Sequence, residues 1–336
     1  MSNRRIIITG GSGFIGTNLC DYLADSGADF LNVDIQSPLS GRHLDRWRKC
    51  DIMDREAVKN VFLEYRPTHI LHLAARTDCD ETVSVDEYSV NTAGSSNVMW
   101  NARNCGTVER IVMFSSQYVC RPGHVPESDV DFDPHTVYGQ SKVLMEQAIR
   151  NELADGPVWT IVRPTNIWGP WHFRYRREFW RMIKKRYYMH PGREPVIRSY
   201  GYVGNVIWQA MRILEQSADL VGGKVFYLGD MPVDIFSIAD AFSMRLTGRH
   251  ARVVPRLLVA FLAGCGDVLK AVGIVPPVST SRFENMTGHY PVPIKKTFDM
   301  LGSAPFSLSV GVDLTACWLD EVSLVTGHDK LFGEHA

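Results

Sequence analysis

In the stretch TVYGQSK, residues 136 to 142, Tyr138 and Lys142 stand four apart where the pattern predicts the start of a helix. Positions i and i+4 lie on one helix face, so an ammonium there sits close to the phenol hydroxyl. A free phenol titrates near pH 10 and is protonated at neutrality. Neighbouring positive charge favours the phenolate, and a drop of ~3 pH units corresponds to ~4 kcal/mol of differential stabilisation. Such a group can take the proton from an alcohol as hydride leaves the same carbon. The chain holds 12 tyrosines, however, and the pair on its own fits two ordinary helix residues just as well. The elements around it have to decide.

Strand and helix signals alternate over residues 1 to 165. RRIIITG is a β-branched run ending in glycine, and DFLNVD, WRKCDI, THILHLAA, ERIVMFSS and VWTIVRP read as further strands. FIGTNLCDYLADSG, REAVKNVFLEY, EYSVNTAGSSNVMWNARNCG and the segment carrying Tyr138 have helical spacing. Strands separated by helices call for a parallel sheet covered on both faces with right-handed crossovers. The expected class is α/β, a doubly wound parallel sheet (Rossmann) with a smaller, discontinuous C-terminal substrate domain. Proline and glycine cluster near 169–170, 191–195 and 276–293, where the alternation loosens. The expected boundaries are 1–168 for the nucleotide domain, with 202–232 returning to it, and 169–201 plus 233–336 for the substrate domain.

TGGSGFIG, residues 9 to 16, follows the first strand and opens the first helix. It satisfies G-x-G-x-x-G through Gly11, Gly13 and Gly16, and a wider spacing through Gly10, Gly13 and Gly16. Glycines there permit a tight turn, let backbone approach a pyrophosphate and aim helix N–H groups at its charge. Asp34 ends the second strand about 20 residues on, as a dinucleotide fold requires. Its carboxylate can accept from ribose hydroxyls and repels a 2′-phosphate, which favours NAD over NADP; as a turn cap it would leave that choice open. Asp51 and Ile52, after the third strand, can flank an adenine, and a helix-cap role fits them equally.

With these residues in place the chain resembles the extended short-chain dehydrogenase/reductase family, which includes NAD-dependent nucleotide-sugar epimerases and dehydratases. The resemblance runs through TGGSGFIG, Asp34, HLAA at 72–75, NTAGS at 91–95, FSS at 114–116, Tyr138-x-x-x-Lys142 and RPTNIWGP at 163–170. It implies that Tyr138 is the catalytic acid–base, that Lys142 acidifies it and orients the nicotinamide ribose, and that Ser116 hydrogen-bonds the reacting oxygen. For NAD it implies contacts from Gly10, Gly13, Phe14, Ile15, Gly16, Asp34, Asp51, Ile52, Leu73, Ala74, Ala75, Asn91, Tyr138, Lys142 and Pro164. For a nucleoside-diphosphate sugar it implies Ser116, Gln117, Asn166 and Arg198, the last on the diphosphate. Similar 4,6-dehydratases carry two acidic residues where this chain has Gln117 and Tyr118, and Gln cannot titrate, so dehydration is disfavoured. Relatives often read VYG where this chain has Val119, Cys120 and Arg121. YVGNV at 202–206, with Asn205 in place of a common Asp, resembles the 3β-hydroxysteroid dehydrogenase branch. The expected activity is epimerisation by transient oxidation, at sugar C4, with a 4-keto-sugar reductase as the alternative. A steroid-type dehydrogenase and a non-catalytic NAD-binding module fit less well. Homodimerisation through helices beginning near 87 and 136 is expected by the same analogy.

Composition sets the outer limits. The 336 residues, 45% hydrophobic and 22% charged, can bury a substantial core. A net charge of −1 gives no global attraction to nucleic acid, so any anion site is local. HFRYRREFWRMIKKR at 172–186 is locally basic and suits either an anionic ligand or a solvated face. Seven scattered cysteines without a Cys-x-x-Cys pair fit a reducing compartment and no metal site. No signal-peptide pattern is seen, and a cytoplasmic location is expected. The most apolar stretch, LLVAFLAGCG at 257–266, is too short to span a bilayer and reads as a buried helix, with contact to a membrane surface as the alternative.

Overall fold

A computed structural model describes residues 4–79, 82–271 and 279–325. Among the described residues the main sheet has seven strands, all parallel: β1 (Arg5–Thr9), β2 (Asp29–Asp34), β3 (Trp47–Lys49), β4 (His69–His72), β5 (Arg110–Phe114), β6 (Val158–Pro164) and β7 (Lys224–Leu228). Their order is β7-β6-β5-β4-β1-β2-β3. The chain leaves β1 toward one edge and returns through β4 toward the other. That reversal opens a crevice at the carboxyl ends of β1 and β4, where ligands of such sheets bind.

The sheet is buried on both faces because its strands are apolar on both faces. Ile6 and Ile8 pack with α1 (Phe14–Asp25) and with a long apolar helix, Val203–Glu215, while Ile7, one residue out of phase, packs on the opposite side. There it meets α2 (Arg55–Tyr65), α3 (Ser95–Asn104) and α4 (Val137–Glu152) through Phe62, Met99, Met145 and Ile149. Each such fully buried side chain contributes about 1.5–3 kcal/mol. Local signals set the helix ends. Asp54 caps α2 by accepting from Ala57 N at 3.0 Å, and Arg66 closes it in the left-handed region at φ 52°. Thr136 caps α4 by accepting from Gly139 N at 2.9 Å.

Beyond Pro164 short strands pair in twos: Asn166–Trp168 with Tyr200–Tyr202, Ile197–Arg198 with Val233–Asp234, and Met189–Pro191 with Arg252–Val254. Helix Ile235–Thr247 and the helix Leu308–Val325 pack against each other in this region.

Three sequence expectations need correction. THILHLAA pairs only over His69–His72; from Leu73 the chain crosses the end of β1, with Leu73 N donating to Thr9 O at 2.9 Å. The long helix expected from 87 is broken into a 3₁₀ turn (Val85–Tyr88), a π turn (Val90–Gly94) and α3. The π turn lets the buried Asn91 side chain reach across to another segment. Finally, the apolar stretch at 257–266 does form a helix, Arg256–Ala271, but not a buried one. Leu257 is 83% exposed and Phe261 68%, because the face packed on the protein carries the smaller Val259 and Ala263.

Candidate active site

The turn from β1 into α1 builds the first wall. Gly10 sits at φ +75°, and a Cβ there would lie 2.5 Å from Ala74 N, so no side chain is tolerated. A Cβ at Gly16 would lie 2.2 Å from the Gly10 carbonyl oxygen, which fixes how closely α1 approaches the loop. Gly11 is equally confined, since a Cβ there would lie 2.3 Å from Asn32 Oδ1. Phe14 and Ile15 are half-buried, and the Phe14 ring lies 4.4 Å from the His172 ring. Asp34 accepts from Ser12 N at 3.0 Å and Gln36 N at 2.9 Å. Burial raises its carboxyl above the usual range, against the pull of those N–H groups.

Further along the crevice, Ile52 is buried against Gly94, and Asp51 is exposed with its carboxylate accepting from Met53 N at 2.9 Å, a turn cap. Leu73, Ala74 and Ala75 line the loop over β1. Asn91 is fully buried and already committed: it accepts from Arg76 N at 2.8 Å and donates to Arg76 O at 3.0 Å and Ser141 Oγ at 2.8 Å. Its place is therefore to hold the 74–76 loop against α4. His72 is likewise buried, bonded to Thr9 Oγ1 at 2.7 Å and Ser95 Oγ at 2.8 Å, and burial pushes its pKa down to about 3.

Ser116, Tyr138 and Lys142 come together at the carboxyl end of β5. All three are at least nine-tenths buried. Ser116 accepts from Tyr118 N at 3.2 Å, and its hydroxyl acts on the Tyr138 phenol, pulling its pKa down. Gly139 makes this possible, since a Cβ there would lie 2.3 Å from Tyr118 O. Lys142 Nζ donates to Phe114 O at 3.0 Å, and burial lowers its pKa to about 8 while Glu146 opposes the shift. Burial dominates and raises the phenol above its ordinary value, Ser116 pulls it down, and Cys79, Tyr118 and Tyr88 push it up.

On the far side, Gln117 is 1% exposed, and neither its amide nitrogen nor its amide oxygen has a hydrogen-bond partner. Arg198 is 4% exposed; its guanidinium donates to Asn285 O at 2.7 Å and Gly288 O at 3.1 Å, leaving Nε unpartnered. Asn166 is half-buried on the strand that pairs with Tyr200–Tyr202, and Pro164 ends β6. Burial raises the Tyr118 phenol, against the charges of Arg198 and Arg174, so both guanidiniums act near this phenol. Tyr290 donates to Gln117 O at 3.0 Å and to Cys120 O, tying the C-terminal region to the loop after β5. Cys120 itself is buried, its thiol donating to Asp131 O at 3.6 Å. Asn205 spans from Asp230 to Phe306, a structural bridge.

Sequence reasoning missed Tyr118, His172, Tyr175 and Tyr290 as parts of this cleft. The aromatic content of WHFRYRREFW was the available signal, hidden behind its charge. Most of that charge is solvated or paired, as with Arg174 and Glu178 at 3.3 Å and Lys184 and Asp320 at 3.4 Å.

Over residues 6–229 the sequence matches the model of the NAD dependent epimerase/dehydratase family. The chain belongs to this family. It is 26% identical over 326 residues to the N-acetyl-alpha-D-glucosaminyl-diphospho-ditrans,octacis-undecaprenol 4-epimerase of Escherichia coli, covering 93% of this chain and 94% of that protein. UDP-glucose 4-epimerase of Bacillus subtilis is 29% identical over 172 residues, 46% of this chain and 50% of the relative. A 3 beta-hydroxysteroid dehydrogenase/Delta 5-->4-isomerase of Mycobacterium tuberculosis is 25% identical, with 70% and 67% covered. Among solved structures, Thermotoga maritima UDP-glucose 4-epimerase with UDP-glucose superposes with a TM-score of 0.72 at 20% identity, over 95% of this chain and 99% of that one.

NAD is the family's cofactor, and this epimerase/dehydratase chain is built to fit it. A Cβ at Gly13 would meet only the Gly10 carbonyl, at 3.4 Å, so the space above the loop is open. Helix α1 starts there with no side-chain cap and no acidic residue in its first turn, which leaves its N–H groups and positive end for a pyrophosphate. Each Asp34 oxygen keeps a lone pair for a ribose hydroxyl.

Proposed function

We propose that the chain is an NAD-dependent epimerase of nucleoside-diphosphate sugars that works by transient oxidation at C4. The observation that carries the reading is the shared burial of Ser116, just past the carboxyl end of β5, with Tyr138 and Lys142 one turn apart on α4. NAD, held by the glycine loop and Asp34, would supply a hydride acceptor and donor and, when oxidised, a positively charged ring. Tyr138 takes the hydroxyl proton during oxidation and returns it during reduction. Ser116 donates to the same oxygen as it gains carbonyl character. Lys142, charged below about pH 8, orients the ribose and favours the phenolate. Arg198 and Asn166 receive the diphosphate and the sugar, and Gln117 offers its amide to a sugar hydroxyl. Residues 169–201 and 233–336 then form the substrate side, and residues 1–168 with 202–232 the NAD side. The lack of a carboxylate at 117 and 118 favours this reading over dehydration. A homodimer through α3 and α4 is supported by their outward Trp100 and Leu144, 39% and 45% exposed.

Sugar nucleotides, and polyprenyl-diphosphate sugars of the type that the Escherichia coli relative is named for, share the diphosphate that Arg198 would meet. The test incubates a panel of both with the purified protein and no added cofactor. Conversion between C4 epimers without net NADH change is expected. In a parallel incubation with a 4-keto-sugar and added NADH, stoichiometric NADH consumption together with no epimer in the cofactor-free panel would replace this reading by the reductase.

A further inference from the structure

The helix Arg256–Ala271 carries Leu257, Leu258, Phe261 and Val268 outward, with Val259 and Ala263 on its inner face. Leu257, Phe261 and Val268 are 83%, 68% and 68% exposed, while Val259 and Ala263 are each 1%. At 100° per residue, Leu257, Phe261, Gly264, Cys265 and Val268 form one continuous outer stripe, with Leu258, 46% exposed, on its flank. From 257 to 266 there is no Lys, Arg, Asp or Glu. A solvated helix has the opposite arrangement, and a contiguous apolar patch of this kind marks a contact surface.

Charge says which surface. Residues 241–266 contain four arginines and no carboxylate. Arg245 is paired with Asp313 at 2.8 Å, whereas Arg249, Arg252 and Arg256 are exposed just ahead of the helix and in its first turn. Arg186 donates to the carbonyls of Arg249 and His250 at 3.3 Å and 3.0 Å, which brings the exposed Lys185 and Tyr187 to the same end. The carboxylates contributed by the packed elements are Asp240, Glu194, Glu284 and Asp267; Asp240 is taken up by His250 at 2.9 Å and by Ala251 N at 2.8 Å, and Asp267 accepts from Thr280 N at 3.2 Å. An apolar stripe with a basic end suits an anionic bilayer surface. A second copy of the chain docking here would face its own arginines with no acid on the stripe to meet them. Among the described residues no helix is long and apolar enough to cross a membrane, so the helix would lie in the interface.

We propose that this helix and the strand before it dock the protein peripherally on an anionic membrane, burying Leu257, Leu258, Phe261 and Val268 among acyl chains while Arg249, Arg252 and Arg256 contact headgroup phosphates. The surface is separate from the cleft, so the proposal stands apart from the reading of the active site.

The test is co-sedimentation of the full-length protein with vesicles of phosphatidylcholine alone and of phosphatidylcholine with phosphatidylglycerol. Binding is expected only with the anionic lipid. Arg252→Gln and Arg256→Gln should each weaken it by about five-fold. Phe261→Glu should abolish it, with little change in melting temperature because Phe261 is 68% exposed. Failure of the wild-type protein to sediment with anionic vesicles overturns the proposal, as does undiminished binding by Phe261→Glu. A dimer that Phe261→Glu converts to monomer, with no vesicle binding, gives the face to a second copy instead.

Discussion

At the nucleotide end of the cleft the buried polar side chains bond within the protein. Asn91 uses both amide hydrogens and its oxygen, His72 uses both ring nitrogens, and Asp34 holds two loop N–H groups. Asn32 Oδ1, beneath Gly11, is an exception. At the substrate end Gln117 Nε2 and Oε1 and Arg198 Nε are buried without partners. Buried polar atoms in folded proteins are bonded in nine cases of ten or more, so an unmatched group of them beside a cleft calls for an outside partner. One end is a finished scaffold, which on the proposed reading carries NAD; the other has polar atoms that a substrate would complete. Tyr138 stands at the junction.

The largest expected effect tests that junction. Tyr138→Phe removes the proton carrier without altering the glycine loop, so turnover should fall by about 10²–10⁴-fold while NAD affinity, followed by fluorescence titration, stays unchanged. Turnover equal to wild type would dismiss the phenol as acid–base. Loss of NAD binding together with turnover would show that the two ends are not separable.

The two ends also differed in how far they could be read in advance. The glycine loop, Asp34 and the Tyr138–Lys142 pair are each short-range patterns; the strand and helix they touch pointed to the first two, and the family resemblance gave the third its meaning. Lys142 was placed correctly on the face of Tyr138, but its bond to the Phe114 carbonyl depends on β5, 28 residues earlier, and no local pattern carries that. Asn91 lay in a legible motif, yet its three bonds to Arg76 and Ser141 recast it as a loop support. The substrate end is assembled from residues near 117, 166, 175, 198 and 290, so its composition emerges only with the tertiary fold. The helix at 256–271 failed for a different reason. Mean apolarity predicts burial only if the larger side chains face inward, and here they face out.

A scaffold closed on itself should show its dependence on pH. His72 is held neutral by burial first and by the nearby Lys142 charge second, with Thr9 and Ser95 as its partners. Its folded pKa, about 3, lies below the unfolded value of about 6.5. The unfolded chain therefore binds the proton first. The stability due to neutral His72 is complete above about pH 6.5 and is lost as pH falls toward 3, with a slope of up to about 1.4 kcal/mol per pH unit. Urea unfolding between pH 4 and 8 measures it, and a His72→Asn variant should show a flatter profile in this window. A variant as steep as wild type would remove His72 from the account.

The smallest effect on stability is the sharpest test of the contrast. Gln117→Leu replaces an amide that has no partner by an apolar group of similar size, so it should leave the protein as stable as before or slightly more so. Asn91→Leu makes the same chemical change at the nucleotide end, strands the Arg76 backbone and Ser141, and should cost about 1–3 kcal/mol in urea unfolding. Activity should move the other way. Gln117→Leu should reduce kcat/KM by about two- to ten-fold, the worth of one neutral hydrogen bond gained with substrate. Equal destabilisation by both variants would mean that the Gln117 amide is structural after all. The substrate end would then be as closed as the other, and the selection of the sugar would have to come from Arg198 and Asn166.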